Sequence, residues 1–280
     1  MKIGPYEARS IETGTFALDG GAMFGVVPKP LWEKHHPADD RNRVAMAARA
    51  LLLRGGGRTI LVDTGNGENR DPKRIEIFKF DRTRSDLLSS LAREGVTPEQ
   101  VTDVILTHLH FDHAGGATRE TDGVFRPTFP NARYYVQTAH WNAAARATER
   151  DRASFVSDHY LPLMEEQRLE LLDGEGEIFP GIRLLTMYGH TTAMQCPLIS
   201  DGHTTMLYCA DVAPFRTHVQ LPWIMGYDLR PLVTLEEKRR VLKRAVEEDW
   251  VLFFEHDPDV VAAHLLHEQK GYRVGEQVVL

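Results

Sequence analysis

The sequence predicts an α/β protein in which two packed β-sheets carry helices on their outer faces. Blocks of short, apolar, strand-like segments alternate along the chain with segments of helical periodicity. The first block reads as strands at 9–18, 43–54 and 59–62, and Gly55-Gly56-Gly57 joins the last two as a hairpin. This alternation favours two sheets with helices outside over an all-helical or an all-β protein.

Helical patterning separates the strand blocks. We expect a helix at 85–94 and two helices within 139–168, and Thr97-Pro98-Glu99-Gln100 has the N-cap and capping-box residues of a helix start. A charged amphipathic helix is predicted at 235–248, with its run 236–240 as a solvated face. Further strands are expected at 104–106, 133–136, 182–186, 197–200, 204–209 and, as the last core strand, 250–254.

One short segment carries most of the chemical information in the chain. His108, His110, Asp112 and His113 place three imidazoles and a carboxylate within six residues, directly after an apolar strand-like run. Because side chains two apart on an extended segment share a face, His108 and His110 can converge on one metal ion. Asp112 and His113 precede a Gly-Gly pair that lets the backbone turn, so they can point toward a second ion. The motif predicts two metal half-sites.

Three later strand-like runs each lead into a further potential ligand. These ligands are His190, Asp211 and His256, and each follows its apolar run within a few residues. A two-metal site needs a bridging carboxylate and additional histidines, which these positions can supply. Imidazole and carboxylate ligands suit zinc, iron, cobalt or manganese.

The order of these motifs resembles that of the metallo-β-lactamase superfamily. The matching elements are His108-x-His110-x-Asp112-His113, Gly189-His190, Asp211 and His256, and Asp63-Thr64-Gly65 looks like the family's turn after an N-terminal strand. The resemblance covers nearly the whole chain and implies one domain, 1–280, folded as a four-layer αββα sandwich. It also implies a dinuclear metal site at the sheet edges.

Carried over residue by residue, the resemblance implies a role for each ligand. Asp211 would bridge two divalent transition metals, zinc above all, with iron, cobalt or manganese open. Asp63 would orient a ligand histidine, and Asp112 and Asp211 are the candidate catalytic carboxylates. The ligands implied are His108, His110 and His190 for one ion, and Asp112, His113 and His256 for the other.

Length and layout are similar to those of the quorum-quenching N-acyl homoserine lactonases. That likeness implies a metal-bridging hydroxide that attacks a lactone or a related ester. Two positions depart from the lactonase pattern. Pro214 stands where many members have a tyrosine three residues after the bridging aspartate, and 191–195 reads Thr-Thr-Ala-Met-Gln where Thr-Pro-Gly-His is common. Tyr188 is a nearby phenol that could take the tyrosine's place.

Other functions use the same ligand pattern and remain open. An organophosphate or aryl ester hydrolase needs the same two metals, and a mononuclear iron persulfide dioxygenase also keeps the motif. A thioesterase of the glyoxalase II kind is disfavoured, since little chain follows His256 for its extra helical region. A non-enzymatic scaffold is the weakest alternative, because all seven ligands are intact.

A substrate wall is expected from two apolar segments. Met23, Phe24, Val26 and Val27 lie in an early glycine-rich loop that we expect to be flexible, and Trp223 follows the bridging aspartate. Either segment could line a hydrophobic pocket or could cap the core, and the sequence leaves both readings open.

The composition of the chain limits the kinds of substrate and partner that we expect. The 280 residues are 42% hydrophobic, and a net charge of −7 without a basic run argues against a nucleic-acid substrate. No apolar stretch reaches membrane-spanning length, and the N-terminus lacks a signal-peptide core, so we expect a cytoplasmic protein with a small-molecule substrate. Cys196 and Cys209 are expected to be reduced core thiols. A homodimer is left open.

Overall fold

The computed structural model describes residues 1–68 and 71–280, which contain sixteen strands and eight α-helices. The strands are β1 (Lys2–Ile3), β2 (Tyr6–Asp19), β3 (Arg43–Gly55), β4 (Arg58–Val62), β5 (Asp103–Ile105), β6 (Thr118–Thr121), β7 (Val124–Pro127), β8 (Arg133–Gln137), β9 (Leu169–Leu172), β10 (Gly176–Phe179), β11 (Ile182–Met187), β12 (Met194–Ser200), β13 (Thr205–Tyr208), β14 (Val251–Phe253), β15 (Ala262–Glu268) and β16 (Gly271–Gln277). The helices are α1 (Gly20–Phe24), α2 (Lys29–Trp32), α3 (Pro72–Phe78), α4 (Leu87–Arg93), α5 (Phe111–Ala114), α6 (Thr138–Ala144), α7 (Leu161–Glu165) and α8 (Pro231–Glu247).

The strands form two large sheets. One has seven strands in the order β1-β2-β3-β4-β5-β8-β9, and the other has seven in the order β10 to β16. The chain divides into two compact units, the first made of 1–15 and 48–174 and the second of 16–47 and 175–280.

The first unit is built on parallel strands with a buried apolar core. β4, β5, β8 and β9 pair in parallel, and Leu61 on β4, Val104 on β5 and Tyr134 on β8 belong to one core cluster. Parallel strands buried on both faces require such continuous apolar runs. The chain leaves β4 at Asp63 and leaves β5 toward 107–113, so both polar segments emerge from the same, carboxyl edge of the sheet.

The second unit also has potential ligands that follow a pair of parallel strands, although most of its sheet is antiparallel. β13 and β14 are its parallel pair, with Tyr208 opposite Phe253. The chain leaves β13 toward Asp211 and leaves β14 toward His256. These two potential ligands therefore start from neighbouring strand ends, for the same geometric reason as in the first unit.

Most predicted elements are present with shifted ends. The strands at 9–18, 43–54 and 59–62 lie within β2, β3 and β4, and the hairpin turn between β12 and β13 is found at 201–204. The prediction of two helices within 139–168 is met by α6 and α7, which are shorter than expected and separated by two 3₁₀ turns. The helix start at Thr97 gives a single 3₁₀ turn, in which Gln100 Oε1 accepts a hydrogen bond from the Thr97 N–H at 2.8 Å.

Two predictions about the C-terminal region were wrong. The strand at 250–254 is not the last of its sheet, because β15 and β16 add an antiparallel pair beyond it. The charged run at 236–240 is not wholly solvated, since Glu237 and Lys238 on α8 are buried. The Lys238 ammonium donates hydrogen bonds to the carbonyls of Gln220 and Trp223, both at 2.7 Å, which offsets the cost of burying its charge.

The cysteines and the helices agree with the composition. Cys196 and Cys209 are buried and form no disulfide, as predicted. Among the described residues, no helix has both the length and the apolar character needed to cross a bilayer.

Candidate metal centre

The first unit gathers the predicted ligands of the segment 108–113. His108 Nε2 and His110 Nδ1 lie 3.0 Å apart, so the two imidazoles converge as their spacing predicts. His113 Nε2 lies 4.0 Å from Asp112 Oδ2. All four side chains are buried or nearly so. One strand end therefore presents an imidazole pair and, one turn later, an imidazole–carboxylate pair.

Asp63 organises this motif from the end of β4. Its carboxylate accepts hydrogen bonds from the Thr107 N–H and hydroxyl, both at 2.7 Å, and from His113 Nδ1–H at 3.0 Å. Asp63 is completely buried and has a φ of 57°, a left-handed conformation that costs free energy in a non-glycine residue. The three hydrogen bonds hold it there. The hydrogen bond to His113 Nδ1 is the contact that the predicted orienting role of Asp63 requires.

The second unit places one carboxylate between two histidines. Asp211 Oδ2 lies 3.1 Å from His190 Nε2, and Asp211 Oδ1 lies 3.5 Å from His256 Nε2. Each oxygen of the carboxylate therefore faces a different imidazole. A carboxylate whose two oxygens are divided in this way is able to bridge two metal ions.

The Nδ1 atoms of four of the five ligand histidines are held by hydrogen bonds, and the fifth, His110, presents its own Nδ1 beside His108 Nε2, so the donor set fits a metal. His190 Nδ1–H donates to Asp228 Oδ1 and His256 Nδ1–H donates to the Ala47 carbonyl, each at 2.9 Å. In the first unit, His108 Nδ1–H donates to the Thr107 hydroxyl at 3.0 Å. A proton fixed on Nδ1 leaves the Nε2 lone pair of a neutral imidazole directed at the metal, as in protein metal sites generally.

The backbone before His190 is fixed by α8. Glu237 accepts hydrogen bonds from the N–H groups of Tyr188 and Gly189, at 2.6 and 3.0 Å. Gly189 must be glycine, because a Cβ there would lie 2.2 Å from the Thr234 hydroxyl. Burial of Glu237 therefore has a function in the site, which is to hold the turn that carries a ligand.

Comparison with known proteins identifies the family. A family model described as the metallo-beta-lactamase superfamily matches residues 45–256. The chain belongs to the metallo-β-lactamase superfamily. The solved structure of a probable metal-dependent hydrolase from Staphylococcus aureus is similar over 100% of both chains, with 27% identity and a TM-score of 0.88. The two large sheets with their helices confirm the predicted metallo-β-lactamase sandwich.

Two relatives carry more specific descriptions. An N-acyl homoserine lactonase of a Bacillus species is 28% identical over 174 residues, which is 61% of this chain and 62% of that protein. The match thus spans less than two thirds of that relative. AidC, described as a dizinc quorum-quenching lactonase in complex with a product, has a TM-score of 0.82 at 20% identity, over 100% of this chain and 97% of AidC. The likeness to AidC shows the shared metallo-β-lactamase fold.

Four partners of this metallo-β-lactamase site were not predicted from the sequence. Asp228, Thr107, Glu237 and the Ala47 carbonyl act on ligand residues through hydrogen bonds. Thr107 adjoins the histidine motif and was within reach of prediction. The others lie 38 to 209 residues along the chain from the residues they contact, so no local pattern marks them.

Part of the predicted substrate wall belongs to the core. Met23 and Phe24 are buried, and their segment forms α1, in which Asp19 Oδ1 accepts a hydrogen bond from the Ala22 N–H at 2.9 Å. The glycines there reflect close packing, not the flexibility we expected, since a Cβ on Gly20 would lie 2.4 Å from the Trp32 ring. We therefore assign Met23 and Phe24 to the core of the second unit, against the prediction.

The remaining wall candidates differ in exposure. Val26 is 90% exposed and Tyr188 is 41% exposed, whereas Val27 is buried and Trp223 is half-buried. Tyr188 follows β11 directly, so its phenol faces solvent and not the packed sheet. Pro214 contributes only its carbonyl, which accepts a hydrogen bond from the His256 N–H at 3.3 Å.

An aromatic cluster that the sequence did not predict lies against the histidine motif. Phe111, between His110 and Asp112, stacks on Phe78 with ring centroids 5.2 Å apart, and the Phe80 ring meets its edge at 5.9 Å. Phe78 and Phe80 are half-buried. The first unit therefore has apolar surface directly beside its ligands.

The metal-free site holds a proton on His190. Burial lowers the pKa of His190, but the adjacent carboxylates of Asp211 and Asp228 outweigh burial and raise it to about 10. Metal binding must displace this proton, so metal affinity is linked to pH.

We expect the stability of the metal-free chain to fall with rising pH through this residue. The folded pKa of about 10 lies above the ordinary 6.5, so the contribution of His190 is complete below about pH 6.5 and is lost toward pH 10. The measurement is the unfolding midpoint of chelator-treated protein and of its His190→Gln variant from pH 6.5 to 10. The difference between the two unfolding midpoints should shrink as the pH rises. A difference that stays constant from pH 6.5 to 10 would contradict the raised pKa of His190.

Proposed function

We propose that the protein is a metal-dependent hydrolase of lactones or related esters that uses two divalent transition metals. The observation that carries the proposal is Asp211, whose two carboxylate oxygens face His190 and His256 separately. In this proposal Asp211 is the shared ligand, and the four ligands of the segment 108–113 complete the two coordination shells. Bound divalent metals supply Lewis acidity and lower the pKa of a coordinated water.

The residues of the chain prepare the ligands for this role. Asp63 and Asp228 fix protons on Nδ1 of His113 and His190, which directs their Nε2 atoms outward. Removing such hydrogen-bond partners usually weakens metal binding or activity by about 10- to 100-fold. Zinc is our proposal for the metals, because the ligands are imidazoles and carboxylates and AidC is described as dizinc.

The substrate we propose is a hydrophobic lactone, and an N-acyl homoserine lactone is the first candidate. Support comes from the lactonase relative and from the half-buried rings of Phe78 and Phe80, which pack on Phe111, the residue between His110 and Asp112. Pro214 offers no phenol to the leaving group. We therefore expect strained or activated esters to react faster than linear alkyl esters, because they need less help from the protein at that step.

The proposal predicts the metal content of the purified protein. Elemental analysis should find close to two transition metals per chain, and the metal-loaded protein should hydrolyse acyl homoserine lactones and aryl esters in preference to linear alkyl esters. One iron per chain with oxygen uptake on a persulfide would instead indicate a dioxygenase. Turnover of phosphotriesters well above lactones would indicate an organophosphate hydrolase.

The physiological setting follows from the same proposal. A hydrolase of acyl homoserine lactones would act in quorum quenching, and we propose the cytoplasm as its compartment. Hydrolysis of these lactones by the purified protein, with loss of signal in a reporter strain that expresses it inside the cell, is the experiment for this assignment.

A further inference from the structure

The peptide between the first two metal ligands lies outside regular secondary structure. β5 ends at Ile105, and Leu109 lies in the following segment between His108 and His110. Leu109 is completely buried, so its backbone N–H needs an acceptor that no neighbouring strand provides. The acceptor is a side chain. The Leu109 N–H donates to Nε2 of His140 at 2.8 Å.

His140 is built into the first unit as a fixed acceptor. It lies on α6, is completely buried, and its ring centroid is 6.0 Å from that of His108. Since Nε2 accepts, the ring is the neutral tautomer with its proton on Nδ1. His140 is not among the residues that the sequence predicted as metal ligands or as a substrate wall. Its position in α6 carries no sequence pattern that indicates a role in the metal site.

A second residue, Phe155, also packs against the segment that carries the first two ligands. Phe155 forms an isolated antiparallel bridge with His110, and its ring centroid lies 4.8 Å from the imidazole of His110 and 5.9 Å from that of His140. His140 and Phe155 thus contact consecutive residues of the ligand segment. The His140 imidazole accepts a hydrogen bond from this backbone, which the phenyl ring of Phe155 has no atom to accept.

We propose that His140 is a positioning residue for the metal centre. The orientation of the Leu109 peptide sets the directions of the two side chains that flank it, His108 and His110. By holding the Leu109 N–H, His140 keeps their nitrogen atoms in the convergent arrangement seen at 3.0 Å. This role rests on the proposed metal binding, but the backbone contact itself can be measured without metal.

The experiment compares three variants of the full-length protein. His140→Leu removes the acceptor, and His140→Gln retains one, because the end of a glutamine side chain reaches about as far as Nε2. Tyr134→Phe is the matched control. The Tyr134 hydroxyl is likewise a buried acceptor, for the Phe129 N–H at 3.0 Å in the same unit, and it donates to the Ala117 carbonyl, so its hydrogen bonds join residues outside the segment 108–113.

Two measurements are needed. Each variant is measured at a temperature that lies the same number of degrees below its own thermal unfolding midpoint. Amide hydrogen exchange of Leu109 in metal-free protein measures the contact. Chelator competition with zinc, and the visible absorption spectrum of the cobalt-substituted protein, measure the ligand geometry. His140→Leu should speed Leu109 exchange about 10-fold or more and raise the zinc dissociation constant about 10- to 100-fold, with an altered cobalt spectrum.

His140→Gln and Tyr134→Phe should keep the zinc dissociation constant within about threefold of the parent and leave the cobalt spectrum unchanged. If His140→Leu lowers stability but leaves zinc affinity and the cobalt spectrum unchanged, His140 only fills the core, and the proposal is overturned. If the parent protein binds no metal, the proposed function fails. Leu109 exchange would then still decide whether His140 holds this peptide.

Discussion

Asp211→Asn should remove the metal pair and lower hydrolytic turnover by two or more orders of magnitude. The carboxylate faces His190 with one oxygen and His256 with the other, at 3.1 and 3.5 Å. Asparagine has almost the same volume, but its amide nitrogen cannot ligate a cation, so one of the two metals loses its shared ligand. We expect elemental analysis to find at most one metal per chain in the variant.

The control for Asp211→Asn is a buried carboxylate with no ligand role. Asp103 is 1% exposed and its carboxylate pairs with Arg58 at 2.9 Å. Asp103→Asn should lower stability and leave the metal content at the parent value. If Asp211→Asn binds two metals and turns over like the parent, Asp211 does not belong to the centre.

The ligands could be predicted because the chemistry lies in short segments that follow strand ends. The spacing of His108 and His110 already fixes a shared face, and Asp63 follows its strand in a recognisable Asp-Thr-Gly turn. Asp228 contacts His190, and His140 contacts the peptide between His108 and His110, each from more than 30 residues along the chain. Their roles depend on which backbone or ring nitrogen needs a partner after folding, which a local pattern does not encode.

Burial was the property that the sequence predicted least well. Charged periodicity on α8 indicated a solvated face, yet Lys238 is buried, and carbonyls of the segment 220–223 accept hydrogen bonds from its Nζ. β15 was missed because exposed polar residues such as His267 and Glu268 occupy its second half. In each case the burial of a residue depends on a segment far along the chain, and the hydropathy of its sequence neighbours gives no information about that segment.

Burial that the sequence did not predict also changes the effect that we expect from a substitution of Phe24. The sequence left open whether its ring caps the core or lines a substrate wall, where truncation to alanine would raise KM for long acyl or aryl substrates. In the structure the ring is completely buried and contacts five aromatic side chains at centroid distances of 5.0 to 5.9 Å. These neighbours are Trp32, His36, Phe215, His218 and Trp223.

Phe24→Ala should therefore lower the free energy of unfolding by about 3–5 kcal/mol, because it removes a buried ring and leaves a cavity. Burial lowers the pKa of the adjacent His36 to about 4, so this imidazole adds no charge to the cluster at neutral pH. Urea unfolding at neutral pH measures the change, and Val26→Ala is the control. Val26 lies two residues away and is 90% exposed, so its truncation should cost less than about 0.5 kcal/mol. A Phe24→Ala variant of unchanged stability but raised KM for hydrophobic substrates would restore Phe24 to the substrate wall.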